Sequence, residues 1–451
     1  MQKTTIKYLP LINFLVLVLL ITGCGGPQAL RQVFTKQTPY ERYASSLKDA
    51  KLDQTALGKA WAEAGEKALQ DSLTVTLPFK ETGYFAAETP MATSYRFEAK
   101  RGQKIVVNLE TRSKEEMKVF MDLYKLQPVA KHVSYADTAA VAIEYEIEDD
   151  LTHLLRVQPE LLRSGQYTIS IISQPTLAFP VPSKKNRGID SFWGDPRDAG
   201  TRNHEGVDIV APRGTPVVAS VPGIVTRVGT NKLGGNVVWL SDANRRQNLY
   251  YAHLDKQLVT AGQRVNIGDT LGLVGNTGNA RGTTPHLHFG IYRSGTGATN
   301  PYPYLHMPSQ TPPAITADLK NLGGWLRVST RSANTRLLPS TKSNVYRSLP
   351  QHTPLQVIGG TGNWYRVSLP DGTEAYIANS VVESISKPVR YEKLAKETDL
   401  LDEAHPLAAP KDSLSSGSSV AVLATFNDFR LVRNEAGETG WIHEDSQLST
   451  R

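Results

Sequence analysis

Apolar positions change period several times along the chain, and each change marks a separate unit. Between residues 39 and about 70, Tyr40, Tyr43 and Leu47, then Leu57, Trp61, Ala64 and Ala68, recur every three or four positions. That spacing predicts two helices, the second capped by Asp53 or Thr55. From residue 73 to 172 the period falls to two: Tyr95 with Phe97, Ile105 with Val107 and Leu109, Val119 with Met121 and Leu123, Tyr167 with Ile169 and Ile171. Alternation broken at Lys100-Arg101-Gly102 and Arg163-Ser164-Gly165 predicts short strands forming a β-sandwich. Proline-punctuated segments at 175–185 and 307–313 read as linkers framing a central block. Beyond them the pattern repeats at a spacing of 65 residues. Leu355, Val357, Trp364, Val367, Gly372, Tyr376 and Ile377 align with Val420, Val422, Phe429, Val432, Gly437, Trp441 and Ile442. Alternating apolar positions, a glycine turn and a closing aromatic-Ile pair describe two small barrels.

Composition fits this modular picture. At 451 residues the chain exceeds what one core usually supports. Its 40% hydrophobic and 21% charged content excludes a mostly disordered, collagen-like or polytopic membrane protein. A single cysteine excludes an intramolecular disulfide framework and a Cys-based zinc site. That cysteine, Cys24, ends a segment in which Lys3 and Lys7 precede an apolar run at 11–21, interrupted by Asn13. The run is too short to span a bilayer and reads as a secretory signal. Ile21-Thr22-Gly23-Cys24 resembles the lipobox of bacterial lipoproteins. The resemblance implies cleavage after residue 23, a lipid on Cys24 and a membrane attachment through that lipid. Gly25, rather than Asp, implies the outer membrane of a Gram-negative cell, facing the periplasm. Removal of the leader lowers the formal charge from +7 to +5.

Four of the ten histidines fall between positions 204 and 288. His204-Glu205-Gly206-Val207-Asp208 opens like a helical zinc-protease motif but has Asp where the second His belongs, and Gly206, Val207, Ile209 and Val210 disfavour helix. On a flat strand His204 and Asp208 would lie roughly 13 Å apart, too far to share one metal, so the chain must bend, and Gly206 permits it. His286-Leu287-His288 has the period of a strand, which puts both imidazoles on one face while Leu287 and Phe289 enter a core. Either histidine of the pair could ligate while the other acts as base. Tyr251-Ala252-His253-Leu254 places another histidine in an apolar strand. Imidazole and carboxylate donors suit zinc, and three protein ligands leave a fourth position open for chemistry.

Taken together, His204-x-x-x-Asp208, Tyr251-Ala252-His253-Leu254 and His286-x-His288 resemble the lysostaphin-like zinc endopeptidases, which cut peptide cross-links in bacterial cell walls. The resemblance runs from about Phe192 to Tyr304 and includes Ala211-Pro212-Arg213-Gly214-Thr215-Pro216-Val217 and Gly275-Asn276-Thr277-Gly278-Asn279. It implies that His204, Asp208 and His288 hold one Zn2+ and that His253 and His286 handle the water and the developing oxyanion, their roles interchangeable at this level. An insertion at 280–284 lengthens the approach to the His pair. The β-sandwich resembles jelly-roll modules appended to secreted peptidases. The duplicated C-terminal units resemble bacterial SH3-like wall modules, whose aromatics serve equally as wall-peptide contacts or as core.

The expected fold class is mainly β and multidomain. The expected order is a lipoprotein signal at 1–24, a helical region at 25–72, a sandwich at 73–178 and a central β-sheet zinc peptidase at 183–305. A linker at 306–320 and SH3-like modules at 321–386 and 387–451 complete it. The expected function is hydrolysis of peptidoglycan stem-peptide cross-links, between D-alanine and diaminopimelate if the cell is Gram-negative. The alternatives are a noncatalytic envelope lipoprotein that binds peptidoglycan and activates other hydrolases, or a wall-binding tether. Noncatalytic relatives have usually lost ligands, and none is lost here. Residues 183–305 carry 14 Lys and Arg against 8 Asp and Glu, which suits carboxylate-bearing stem peptides. An exported chain excludes nucleic acid as partner, while envelope proteins and the membrane remain expected ones.

Overall fold

The computed structural model describes residues 37–137 and 141–444; the signal segment and Cys24 lie outside them. Among the described residues no helix is long and apolar enough to cross a membrane. The two expected helices are Pro39–Asp49 and Ala56–Gln70. Thr38 and Glu41 form a reciprocal capping box on the first, and the Thr55 side chain accepts the Gly58 amide at 3.1 Å on the second. Their shared face is aromatic. Tyr40 and Tyr43 pack with Trp61 and with Phe120 of the sandwich, and Trp61 Nε1 donates to the Pro159 carbonyl at 2.8 Å. The helical region is therefore docked on the sandwich.

The sandwich has eight strands: β1 Phe79–Phe85, β2 Thr93–Ala99, β3 Gln103–Arg112, β4 Val119–Leu126, β5 Ala130–Tyr135, β6 Ala142–Glu146, β7 Leu151–Pro159 and β8 Gly165–Pro175. One sheet runs β1-β8-β3-β6 and the other β2-β7-β4-β5. This interleaving is that of a jelly roll. The alternating residues read from the sequence meet between the sheets: Tyr95, Phe97, Ile105, Val107, Leu123, Ile169 and Ile171 are all fully buried.

The central block is an antiparallel sheet. Its strands follow the order Arg264–Val265, Gly223–Asn231, Gly235–Asp242, Gln247–Leu254, His286–Arg293, Val207–Val210 and Ile189–Ser191. Its core includes Val207, Ile209, Leu249, Tyr251, Leu287, Phe289 and Ile291. The segment at 175–185 departs from its reading as a linker, because Leu177 and Val181 are buried in this same core. Prolines mark the absence of regular structure there, yet the apolar residues between them still pack.

The two C-terminal units align strand for strand at the 65-residue spacing: Pro354–Thr361 with Ser419–Phe426, Trp364–Ser368 with Phe429–Arg433, Glu374–Ala378 with Thr439–His443. Gly372 and Gly437 hold the equivalent turns at φ 74 and 86, a region favouring glycine. In each unit the strands pair antiparallel in a single sheet. Ile315 and Ala317, within the expected 306–320 linker, pack into the first unit's core.

Neither unit is suspended on a free tether. The strand Pro354–Thr361 pairs with β1 through Thr82↔Gly360 and Gly83↔Gly359, so the sandwich sheet continues into the first unit. A buried polar joint lies beside this seam. Arg366 donates to Glu374 at 2.7 Å, Asp71 at 3.1 Å and the Ser94 carbonyl, while Glu81 accepts from Tyr95 at 2.7 Å and Tyr376 at 3.2 Å. Trp364 and Tyr376 are buried with Leu73. In the second unit the equivalent Phe429 and Trp441 pack against Trp325 and Leu401. The aromatics that could have served wall contact or core are thus spent on joints.

Candidate metal centre and hydrolytic cleft

Antiparallel pairing assembles the site. The strand Val207–Val210 lies against His286–Arg293 in a register that sets Asp208 opposite His288 and Val210 opposite His286. On the other side of His286–Arg293, Ala252 lies opposite His288, so regular alternation would turn His253 to the opposite face; its φ of 60 breaks the alternation and brings its ring beside His286. The alternation expected of the His pair holds: Leu287 and Phe289 are fully buried while the two imidazoles face the cleft.

The bend expected between His204 and Asp208 is present. His204 precedes the strand, and its Nε2 comes to 3.0 Å from Asp208 Oδ1. Gly206 serves a different purpose from the one expected. Its φ is not in the left-handed region; instead a Cβ there would sit 2.6 Å from both His288 Cε1 and the Phe289 carbonyl oxygen. The position must be bare for His288 to reach the site.

His204 Nε2 and His288 Nδ1 are 3.0 Å apart, and Asp208 Oδ1 is 3.1 Å from His288 Nδ1. Three donor atoms therefore converge within 4.8 Å of one another. The His204 ring is oriented by Nδ1–H donating to the Phe192 carbonyl at 2.8 Å, which leaves Nε2 with its lone pair toward the cluster. Two neutral imidazoles and one carboxylate fit a zinc ion. Burial alone would raise the Asp208 carboxyl, but the His204 and His288 rings beside it hold it well below the usual range. Burial pushes His288 down, keeping it neutral and able to ligate.

His253 and His286 flank the cluster without joining it, their ring centroids 5.0 Å apart. His253 Nδ1–H donates to the Thr277 carbonyl at 2.9 Å, and His286 Nδ1–H to the Thr284 carbonyl at 2.8 Å. Each neutral ring then keeps Nε2 as an acceptor. His253 is depressed to about 4, chiefly by burial and then by His288 and His286. It also adopts a φ of 60, a strained value for a non-glycine residue, fixed by its amide bond to the Gly234 carbonyl at 2.7 Å. The expected insertion supplies Thr283 and Thr284 to the cleft rim and, through the Thr284 carbonyl, the orientation of His286.

These five side chains line a cleft of about 790 Å³. One wall is aromatic, with Trp239 4.5 Å from Tyr250 and 5.1 Å from Tyr292 between ring centroids. The lining also includes Arg197, Arg202 and Glu205, the last beside Tyr292. Arg197, not anticipated from sequence, donates to Asp208 Oδ2 at 2.8 Å. Nor were the carbonyls of Phe192, Thr277 and Thr284 anticipated, since a main-chain acceptor leaves no mark in residue type.

Residues 202–301 match the model of peptidase family M23, and residues 331–383 that of the bacterial SH3 domain. The chain carries an M23 peptidase domain. Over 140 residues the protein is 39% identical to the L-Ala--D-Glu endopeptidase of Bacillus subtilis, spanning 28% of this chain and 42% of that protein. Over 89 residues it is 43% identical to the peptidoglycan DD-endopeptidase ShyC of Vibrio cholerae, 19% of each chain. Among solved structures, the catalytic domain of the antimicrobial peptidase lysostaphin from Staphylococcus simulans is 32% identical. That alignment covers 26% of this chain and 90% of that one, with a TM-score of 0.24. The chain thus spans less than half the length of these two curated relatives, and the family match at residues 202–301 contains all five site residues. The SH3 match falls on the first of the duplicated C-terminal units.

Proposed function

We propose that the protein is a zinc-dependent endopeptidase that hydrolyses peptide cross-links of bacterial peptidoglycan, tethered to the cell envelope by a lipid on Cys24. The observation that carries the reading is the convergence of His204, Asp208 and His288 beside His253 and His286, each oriented by a main-chain carbonyl. His204 Nε2, Asp208 Oδ1 and His288 Nδ1 would hold the metal. When bound, zinc supplies Lewis acidity that polarises a scissile carbonyl and lowers the pKa of water. One of His253 and His286 accepts the proton from the attacking water through Nε2, and the Nε2–H so formed can hydrogen-bond the developing oxyanion or pass its proton to the leaving nitrogen. The depressed pKa of His253 suits a ring that stays neutral until it takes that proton. The aromatic wall excludes water from one side of the substrate. Relatives named as an L-Ala--D-Glu endopeptidase and a peptidoglycan DD-endopeptidase support peptidoglycan peptides as the substrate class.

Purified protein lacking residues 1–24 is expected to bind about one zinc and to solubilise purified cell walls, with His288→Ala losing both. Undiminished zinc binding by an Asp208→Ala, His288→Ala double variant overturns the ligand assignment. The lipid tether has its own test: mass spectrometry of the protein extracted from its native membrane, in which a diacylglycerol mass on a peptide beginning at Cys24 supports it and an unmodified Cys24 contradicts it.

A further inference from the structure

We propose that Arg197 is a positioning residue that pins the outer oxygen of Asp208 so that the carboxylate presents a single oxygen, Oδ1, to the metal. The proposal rests on the zinc reading above. A carboxylate can give one oxygen or two to a cation, and a free rotor would sample both. Here the two oxygens have separate tasks. Oδ1 faces His204 Nε2 and His288 Nδ1 at 3.0 and 3.1 Å, while Oδ2 accepts from Arg197 Nη2 at 2.8 Å. The same guanidinium nitrogen also reaches Ser191 Oγ, so Arg197 is itself held on a second side.

The segment that carries Arg197 is built for this purpose. Pro196–Arg197 pairs antiparallel with Arg202–Asn203, immediately before His204. Asp198, Ala199 and Gly200 turn this ribbon at φ 50, 56 and 88, three successive left-handed residues. Its base is fastened to the first ligand: the Gly194 amide donates to the His204 carbonyl at 2.9 Å, and the His204 amide to the Asp195 carbonyl at 2.8 Å. Asp195 Oδ2 accepts from Ser191 Oγ and the Phe192 amide, both at 2.8 Å. One strap therefore orients His204 through the Phe192 carbonyl and Asp208 through Arg197. Both contacts come from the one nitrogen Nη2, whose two N–H bonds are fixed in the guanidinium plane; a lysine could supply the charge only on a freely rotating ammonium.

Charge and position pull in opposite directions, which makes the proposal testable. A cation beside a ligand weakens its donation to a metal, so if charge dominated, removing Arg197 would tighten zinc binding. If position dominates, removal weakens it by about 10- to 100-fold, the range for outer partners of metal ligands. The measurement is zinc affinity of the full chain, by competition with a chelator of known affinity at fixed pH. Thermal unfolding of the metal-free forms reports whether the fold is kept. Arg197→Gln is expected to bind zinc at least tenfold more weakly, Arg197→Lys to recover only part of the loss, and Ser191→Ala to weaken binding severalfold with no change at Arg197 itself. Zinc affinity equal to or above that of the unsubstituted chain in Arg197→Gln and Ser191→Ala overturns the role of Arg197. Failure of the unsubstituted chain to bind zinc overturns the functional reading first, so the two failures are told apart.

Discussion

Gly206 sets how closely the strand Val207–Val210 lets His288 approach, and it does so by lacking a side chain. A methyl group at this position meets the imidazole carbon at 2.6 Å. Gly206→Ala is therefore expected to leave the sheet folded while lowering zinc affinity and wall hydrolysis at least tenfold, measured by chelator competition and by dye release from labelled walls. The flanking histidines separate differently. His253→Ala and His286→Ala should each retain one zinc while losing about 10²- to 10⁴-fold in turnover, because the proposed mechanism gives them the proton and not the metal. Loss of the metal in either variant would assign that histidine to the ligand set instead. The five polar side chains were legible in the sequence because donor chemistry is tied to residue type. Arg197 was not, since an arginine among 50 basic residues carries no mark of its partner until Asp208 is placed beside it.

At the scale of elements, period was the reliable guide. His286-Leu287-His288 reads as a strand with two ligand-facing positions because Leu287 and Phe289 have nowhere to go but the core. The helices were legible for the same reason, and the structure chose Thr55 rather than Asp53 as cap. What the period could not show is docking. Trp61 looks like any apolar helix position, yet it stacks on Tyr40 at 4.9 Å between centroids and bonds to Pro159 across the interface with the sandwich. Trp61→Ala is expected to destabilise the protein by about 3–5 kcal/mol in chemical denaturation, through lost burial and an orphaned carbonyl. A variant as stable as the parent would mean that the helices contribute nothing to the folded core. Jelly-roll order was equally legible only as a class, because pairing partners far apart in sequence leave no local trace.

At the scale of the whole molecule, the sandwich and the first SH3 unit share one sheet and one buried polar joint. Arg366 is 1% exposed and Glu81 fully buried, so neither can be relieved by water. Removing Arg366 leaves Glu81, Glu374 and Asp71 without their cation, and Arg366→Met is expected to cost about 3–5 kcal/mol. Burial raises Glu81 above its ordinary value against the pull of Arg366. A carboxyl raised in the folded state binds more protons there, so its contribution to stability is present below the unfolded pKa and is lost as pH rises through the folded one. Melting temperatures of the native chain relative to Glu81→Gln should therefore fall as pH rises above the ordinary glutamate range, and a constant difference would contradict the raised Glu81. These joints make the first SH3 unit part of a framework continuous with the sandwich, and the basic excess of residues 183–305 suits the carboxylate-bearing substrate proposed above. Mass spectrometry of fragments released from purified peptidoglycan by the zinc-loaded protein tests the central claim most directly. Peptide-bond hydrolysis within stem peptides or cross-links, abolished by chelation and by His288→Ala, is the expected result; release of glycan-cleaved fragments alone, or of nothing, would contradict it.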